Sequence, residues 1–191
     1  MTKRPRMVVF VCDFNVHRSV SAEYLLRKLL QQRFSKLSKE IEVSSAGLPT
    51  QEIVQRMNQK GVPLPVFGRG SSRQIREIAF RKGITLSTHK SKLFNRDLAE
   101  RADLIITMGI FHKREVLAQY PQSYGKVLTF REIFDISGPL IVEDSLIVPN
   151  YDPDTHEHVH SYELEEQMME EIKRCFNQGA EKILGFLNLT Q

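Results

Sequence analysis

The chain has 191 residues, 41% of them hydrophobic and 26% charged, with a formal net charge of +4. That length suits one α/β domain with a buried core, and the modest positive charge favours anionic substrates without pointing to nucleic acid. No apolar run is long enough for a membrane helix, and the apolar stretch after M-T-K-R-P-R is too short for a signal peptide. Two cysteines, Cys12 and Cys175, make no disulfide framework, so a reducing cytoplasm is the expected setting.

Residues 7–11 are apolar and largely β-branched, too short a run for a core helix, and read as a buried strand of a parallel sheet. Cys12 ends the strand and a helical pattern begins near Arg18, so five residues turn the chain: Asp13, Phe14, Asn15, Val16 and His17. A strand, a tight loop and a helix N-terminus in that order make an anion site, because the first helical amides lack backbone partners and the dipole there is positive. The cysteine stands at one end of this loop and an arginine at the other.

The first helix is expected over residues 20–37, with Ala22, Leu25, Leu26, Leu29 and Leu30 on its inner face. A second strand follows at 41–45 and runs into Ser44-Ser45-Ala46-Gly47. Residues 48–72 show little periodicity outside 51–59 and carry Gly61, Pro63, Pro65, Gly68 and Gly70, which marks an irregular segment. A short helix at 73–82 stops at Gly83. Residues 95–101 form a helical turn or two, 104–108 a third buried strand, 111–119 a helix ending before Pro121, and 126–130 a fourth strand. Strands alternating with helices imply right-handed crossovers and a doubly wound four-stranded parallel sheet with helices on both faces. Ligands in such sheets sit beyond the carboxyl ends of the strands.

Residues 134–150 are a second irregular stretch, and V-P-N-Y-D-P-D follows at its end. His156, His158 and His160 come next. In a strand, alternation would put all three imidazoles on one face, as metal ligands can be. Their position directly before a helix favours a solvated loop, and no metal is expected. That last helix, 161–187, turns Leu164, Met168, Ile172, Cys175, Ile183 and Leu187 inward. Glu163, Glu165 and Glu166 sit in its first turns, where the dipole favours them.

The stretch V-C-D-F-N-V-H-R-S resembles the signature of the low-molecular-weight protein tyrosine phosphatase family, through Cys12, Asn15, Arg18 and Ser19. Ala22-Glu23, the S-A-G ending at Gly47, the G-I-T-L-S-T-H-K-S element and the D-L-I-I-T-M strand also resemble the family. Three positions depart from it: Phe14 stands where Gly is usual, His17 where a second Cys is usual, and Val20 where Pro is usual. The stretches 48–72 and 134–150 look like insertions relative to the family length, the first where the family builds one wall of its cleft. The resemblance implies a phosphate-binding loop after strand 1, formed by Asp13, Phe14, Asn15, Val16, His17, Arg18 and Ser19. It implies that Ser45 and His89 belong to the hydrogen-bond network that orients Asn15, and that Ser19 supports the sulfur.

The implied chemistry is hydrolysis of phosphotyrosine or a related aryl phosphate through a cysteinyl-phosphate, with Cys12 as nucleophile. The reactive form is the thiolate, which a helix N-terminus and a neighbouring Arg favour. Arg18 can donate two parallel hydrogen bonds to phosphate oxygens, which Lys cannot. The family's D-P loop supplies a general acid, and Asp152-Pro153 matches it best, with Asp144 and Asp154 as rivals and no aromatic after the Pro. Neither cofactor nor metal is expected, and the partner is a phosphorylated protein or a small aryl phosphate, with no membrane. Phe14, were it held at positive φ, would be strained by about 1 kcal/mol or more; alternatively it points outward and lines the substrate mouth. His17 leaves Cys12 without a protective disulfide partner. The alternatives are a phosphate-binding protein without turnover and, with Cys175 on a core face, an arsenate reductase.

Overall fold

The structure, a computed structural model, describes residues 4–143, 150–152, 154 and 157–189, with 150–152, 157 and 159 described through their backbone alone. Four parallel strands, β1 (Arg6–Cys12), β2 (Ile41–Gly47), β3 (Leu104–Thr107) and β4 (Val127–Thr129), lie in the order β2-β1-β3-β4. β1 is central and apolar because both of its faces are covered. Val8, Phe10 and Cys12 point into one hydrophobic cluster, and Met7, Val9 and Val11 into another. This is the alternation that a pleated strand imposes.

The first cluster joins the sheet to α1 (Arg18–Arg33), α3 (Arg73–Arg81), α6 (Phe130–Phe134) and α7 (Tyr162–Phe186). The second joins it to α4 (Arg96–Arg101) and α5 (Ile110–Gln119). Helices therefore cover both faces, and the doubly wound parallel sheet is the observed architecture. Phe10, Phe130, Phe134 and Phe176 meet ring to ring at 4.8–5.9 Å beneath α7. Each such fully buried side chain contributes roughly 1.5–3 kcal/mol of transfer free energy.

Several element limits differ from expectation for local reasons. α1 starts at Arg18, where the helical pattern begins, but stops at Arg33 and not near 37, with only a 3-10 turn at Leu37–Lys39 beyond. Phe130 leaves the fourth strand to open α6, because Thr129 and Glu132 form a reciprocal capping box there. α2 (Gln51–Gln59), capped by the Thr50 hydroxyl, coincides with the one periodic run inside the irregular stretch 48–72. In α7, Leu164 is only half-buried while Glu165 is buried, so the inner face begins on a charge.

The solvated loop expected at the histidines is corrected. β6 (Glu157–Val159) pairs antiparallel with β5 (Asn150–Asp152) in a separate hairpin. Of the residues singled out above, Asp144, Pro153 and His156 lie outside the described residues.

Candidate active site

β1 carries Cys12 to the carboxyl edge of the sheet and α1 begins at Arg18, so residues 13–17 turn the chain in the gap. No side chain caps the start of α1, which leaves its first amides open to an anion. The positive φ of the turn falls on Asn15, at 57°, and not on Phe14. Asparagine tolerates this conformation better than most residues, so the strain anticipated at Phe14 does not arise. Nor does Phe14 point outward: it is buried against Ile53 and Met57 of α2, and from there forms part of a cleft wall. Gly47 lets the loop settle on β2, since a Cβ there would lie 2.7 Å from the Asp13 carbonyl oxygen. That close approach gives the S-A-G motif a steric reason.

Beneath the loop, Asn15 is held from four sides. Its Nδ2 donates to Ser45 Oγ at 2.7 Å and Ser19 Oγ at 3.0 Å, and its Oδ1 accepts from the Lys92 amide at 3.0 Å. His89 Nε2 donates to its carbonyl at 2.9 Å. Burial pushes the His89 imidazole below its usual pKa, so the ring is neutral and this bond calls for its proton on Nε2. Ser45 passes the chain on to Glu23 at 2.5 Å. Ser19 Oγ lies 3.0 Å from Cys12 Sγ. Every side chain of this floor is buried.

Arg18 Nη2 donates to Asp13 Oδ2 at 2.5 Å, while its Nη1 is buried without a hydrogen-bond partner. Asp13 also accepts from the Thr50 amide at 3.1 Å and hydroxyl at 3.2 Å, and His112 Nε2 stands 3.0 Å away. Burial opposes the Asp13 charge, but His112, Arg18 and the Thr50 amide outweigh it and hold the carboxyl well below its usual range. Burial keeps the His112 imidazole below its own usual pKa despite Asp13. Thr50 and His112 carried no motif, and nothing in the sequence flagged them.

Above the loop, His17 Nδ1 pairs with Glu165 of α7, and Nε2 donates to the His158 carbonyl at 3.1 Å. Burial works against both charges, yet each outweighs it for the other: His17 is raised above its usual pKa and Glu165 lowered below its own. His160 stands edge-on to His17 at 5.2 Å, and burial together with His17 pushes it down to about 4. His158 Nε2 donates to the Pro63 carbonyl at 2.5 Å, tying the hairpin to the 60–70 wall.

These parts enclose one cleft, lined by Cys12 and Arg18 below, Phe14, Val16, Ile53 and Pro65 at the sides, and His158 and His160 above. Asp152 lies on β5, whose partner strand brings His158 to the cleft; its side chain lies outside the described atoms, while Asp154 is exposed. Cys175 is buried in the α7 core cluster and does not line the cleft.

A thiol and an arginine flank helix amides that no side chain caps, the arrangement of an anion-binding loop, and the comparisons supply the family. The chain belongs to the low molecular weight phosphotyrosine protein phosphatase family, whose model matches residues 7–183. It is 29% identical over 136 residues to a probable low molecular weight protein-tyrosine-phosphatase, EpsP, of Ralstonia solanacearum, covering 70% of this chain and 78% of that one. It is 30% identical over 125 residues to the protein-arginine-phosphatase of Bacillus subtilis, covering 65% and 70%. The solved low molecular weight protein tyrosine phosphatase from T. tengcongensis superposes with a TM-score of 0.67 at 25% identity, over 93% of this chain and 99% of that one.

Proposed function

We propose that this protein hydrolyses phosphotyrosine or a related aryl phosphate monoester through a cysteinyl-phosphate intermediate. The observation that carries the reading is the meeting of Cys12 and Arg18 in one cleft whose side walls, Phe14, Val16, Ile53 and Pro65, are apolar. Such walls accept a flat aryl ring, whereas a phosphorylated guanidinium brings N–H donors that want acceptors. On this reading the Cys12 sulfur attacks phosphorus, and the phosphorus–oxygen bond to the leaving group breaks. Arg18 and the amides of residues 13–18 hold the equatorial oxygens, where charge develops. The buried, unpartnered Nη1 of Arg18 supports that role. Asp152 protonates the leaving oxygen and then, as carboxylate, draws a proton from the water that hydrolyses the thiophosphate. Ser19, 3.0 Å from the sulfur, steadies the thiolate as it departs. Asn15, Ser45 and His89 hold the loop in shape.

The chain is read as one domain, with 48–72 and 134–150 as insertions, the first forming one wall of the cleft, working on phosphoproteins or small aryl phosphates in the cytoplasm. Two unpaired cysteines support a reducing compartment. Among the described residues no helix is long and apolar enough to cross a membrane.

The test is hydrolysis of p-nitrophenyl phosphate, a phosphotyrosine peptide and a phosphoarginine peptide by wild type, Cys12→Ser and Asp152→Ala, with EDTA present. Turnover falls at least about 10⁴-fold in Cys12→Ser and about 10²-fold or more in Asp152→Ala, and the tyrosine peptide outruns the arginine one. No turnover by folded wild type on any of the three sinks the enzyme reading and leaves a phosphate-binding protein. Faster turnover of the phosphoarginine peptide moves the substrate to arginine.

A further inference from the structure

The roof of the cleft holds a donor set that the phosphoryl chemistry does not use. One ring nitrogen each from His17 and His160 and one carboxylate oxygen of Glu165 lie within 4.8 Å of one another. His17 commits Nε2 to the His158 carbonyl at 3.1 Å, which fixes the ring and leaves Nδ1 facing Glu165. A hydrogen bond from the far ring nitrogen to a backbone carbonyl is how proteins usually orient a metal-ligating histidine. Glu165 is 1% exposed, and its Oε2 is buried with no hydrogen-bond partner. Buried carboxylate oxygens without partners are costly and uncommon. The orphaned oxygen is thus a second, independent sign that something else is bound here.

We propose that His17, His160 and Glu165 form a binding site for a divalent cation of the zinc class, with its remaining coordination position facing the phosphate cleft. Two imidazoles and one carboxylate suit zinc, which takes such three-ligand sets with one open position. Magnesium and calcium prefer all-oxygen sites. The ion takes the place of the proton held between His17 and Glu165, so binding releases that proton and involves no redox change. The ligands come from two stretches far apart in sequence: His17 from the loop before α1, and His160 and Glu165 from the residue following β6 and the first turn of α7. One bound ion therefore cross-links hairpin, helix and loop. His17 and His160 both line the cleft that contains Cys12, so water or a phosphate oxygen can complete the coordination. The site stands on this donor set, whatever substrate the cleft proves to take.

The experiment is calorimetric titration of zinc chloride into folded Cys12→Ser protein, in phosphate-free buffer, which removes the thiolate as a rival ligand. One ion binds per chain and the melting temperature rises. His160→Ala in the same background, which leaves the His17–Glu165 pair whole, weakens binding at least about tenfold. Glu165→Gln, checked for folding by circular dichroism, does the same. His158→Ala, whose ring bonds the Pro63 carbonyl instead, keeps full affinity. Cobalt(II) gives the intense visible absorption of a tetrahedral site in Cys12→Ser and loses it in His160→Ala. No binding by folded Cys12→Ser, or binding undiminished by His160→Ala, overturns the site. Because the readout is binding, an inactive enzyme does not weaken the test.

Discussion

The floor and the roof of the cleft are built on different physics. The floor, Asn15 with Ser19, Ser45, His89 and the Lys92 amide, is a buried lattice of hydrogen bonds directly under the loop. The roof rests on one buried ion pair, His17 with Glu165, joining groups 148 residues apart. Polar lattices whose every member is satisfied rigidify what they hold. A buried pair of charges contributes little net stability while intact, because desolvation offsets attraction, yet it is costly to break. The floor is thus suited to shaping the phosphate loop, and the roof to fastening α7 and the hairpin over it.

Removing one charge tests the roof most severely. Glu165→Gln leaves His17 charged or forces it to neutralise in a buried place, and stability falls by about 3–5 kcal/mol. Urea denaturation measures this, and the residual folded protein keeps a near-normal kcat. A drop of less than about 1 kcal/mol would mean that the pair fastens nothing. In the floor, Asn15→Ala strands the Lys92 amide, takes a donor away from the Ser45 and Ser19 hydroxyls and puts alanine at positive φ. We expect a loss of about 2–3 kcal/mol together with a kcat reduced at least about tenfold and little change in KM. Equal falls of kcat in Glu165→Gln and Asn15→Ala would erase the division between floor and roof.

A control lies at the far end of the sheet. Asp103 accepts from the Met7 amide at 2.8 Å and from Arg6 at 2.9 Å. Burial raises its pKa, but the Met7 amide, Arg6 and Arg4 outweigh that and set it below the usual 3.8. A lowered folded pKa means the stabilisation is complete above the unfolded value of 3.8 and disappears as pH falls through the folded one. Asp103→Asn therefore costs about 1–2 kcal/mol at pH 7 and progressively less as pH drops below about 4, with kcat unchanged. Denaturation at pH 7 and pH 3 reads the difference, and an equal loss at both would show that charge plays no part.

Much of the floor was legible beforehand because its members sit inside short motifs. Cys12, Asn15, Arg18 and Ser19 lie within one strand–loop–helix unit, whose geometry follows from a buried β-branched run meeting a helical pattern. Ser45 precedes the glycine that lets the loop approach β2. The roof was illegible for the converse reason. Glu165 reads as an ordinary first-turn glutamate, and His158 and His160 as solvated polar residues, until the hairpin folds back on the loop. Thr50 and His112 likewise gain meaning only as partners of Asp13. The positive φ falls on Asn15 and not on Phe14, because its position within a loop depends on the whole turn.

Local pattern alone determined the parallel sheet, its helices on two faces and the placing of cysteine and arginine at one helix start. Periodicity and chain direction set each strand, helix and crossover locally, even though the sheet they build pairs distant strands, Val8 beside Leu104 among them. Tertiary structure alone decided which charges are buried together: Asp13 with Arg18 and His112, and His17 with Glu165 beneath His160. Burial is a property of the packed whole, and only there does desolvation turn ordinary polar residues into a roof that shapes the cleft.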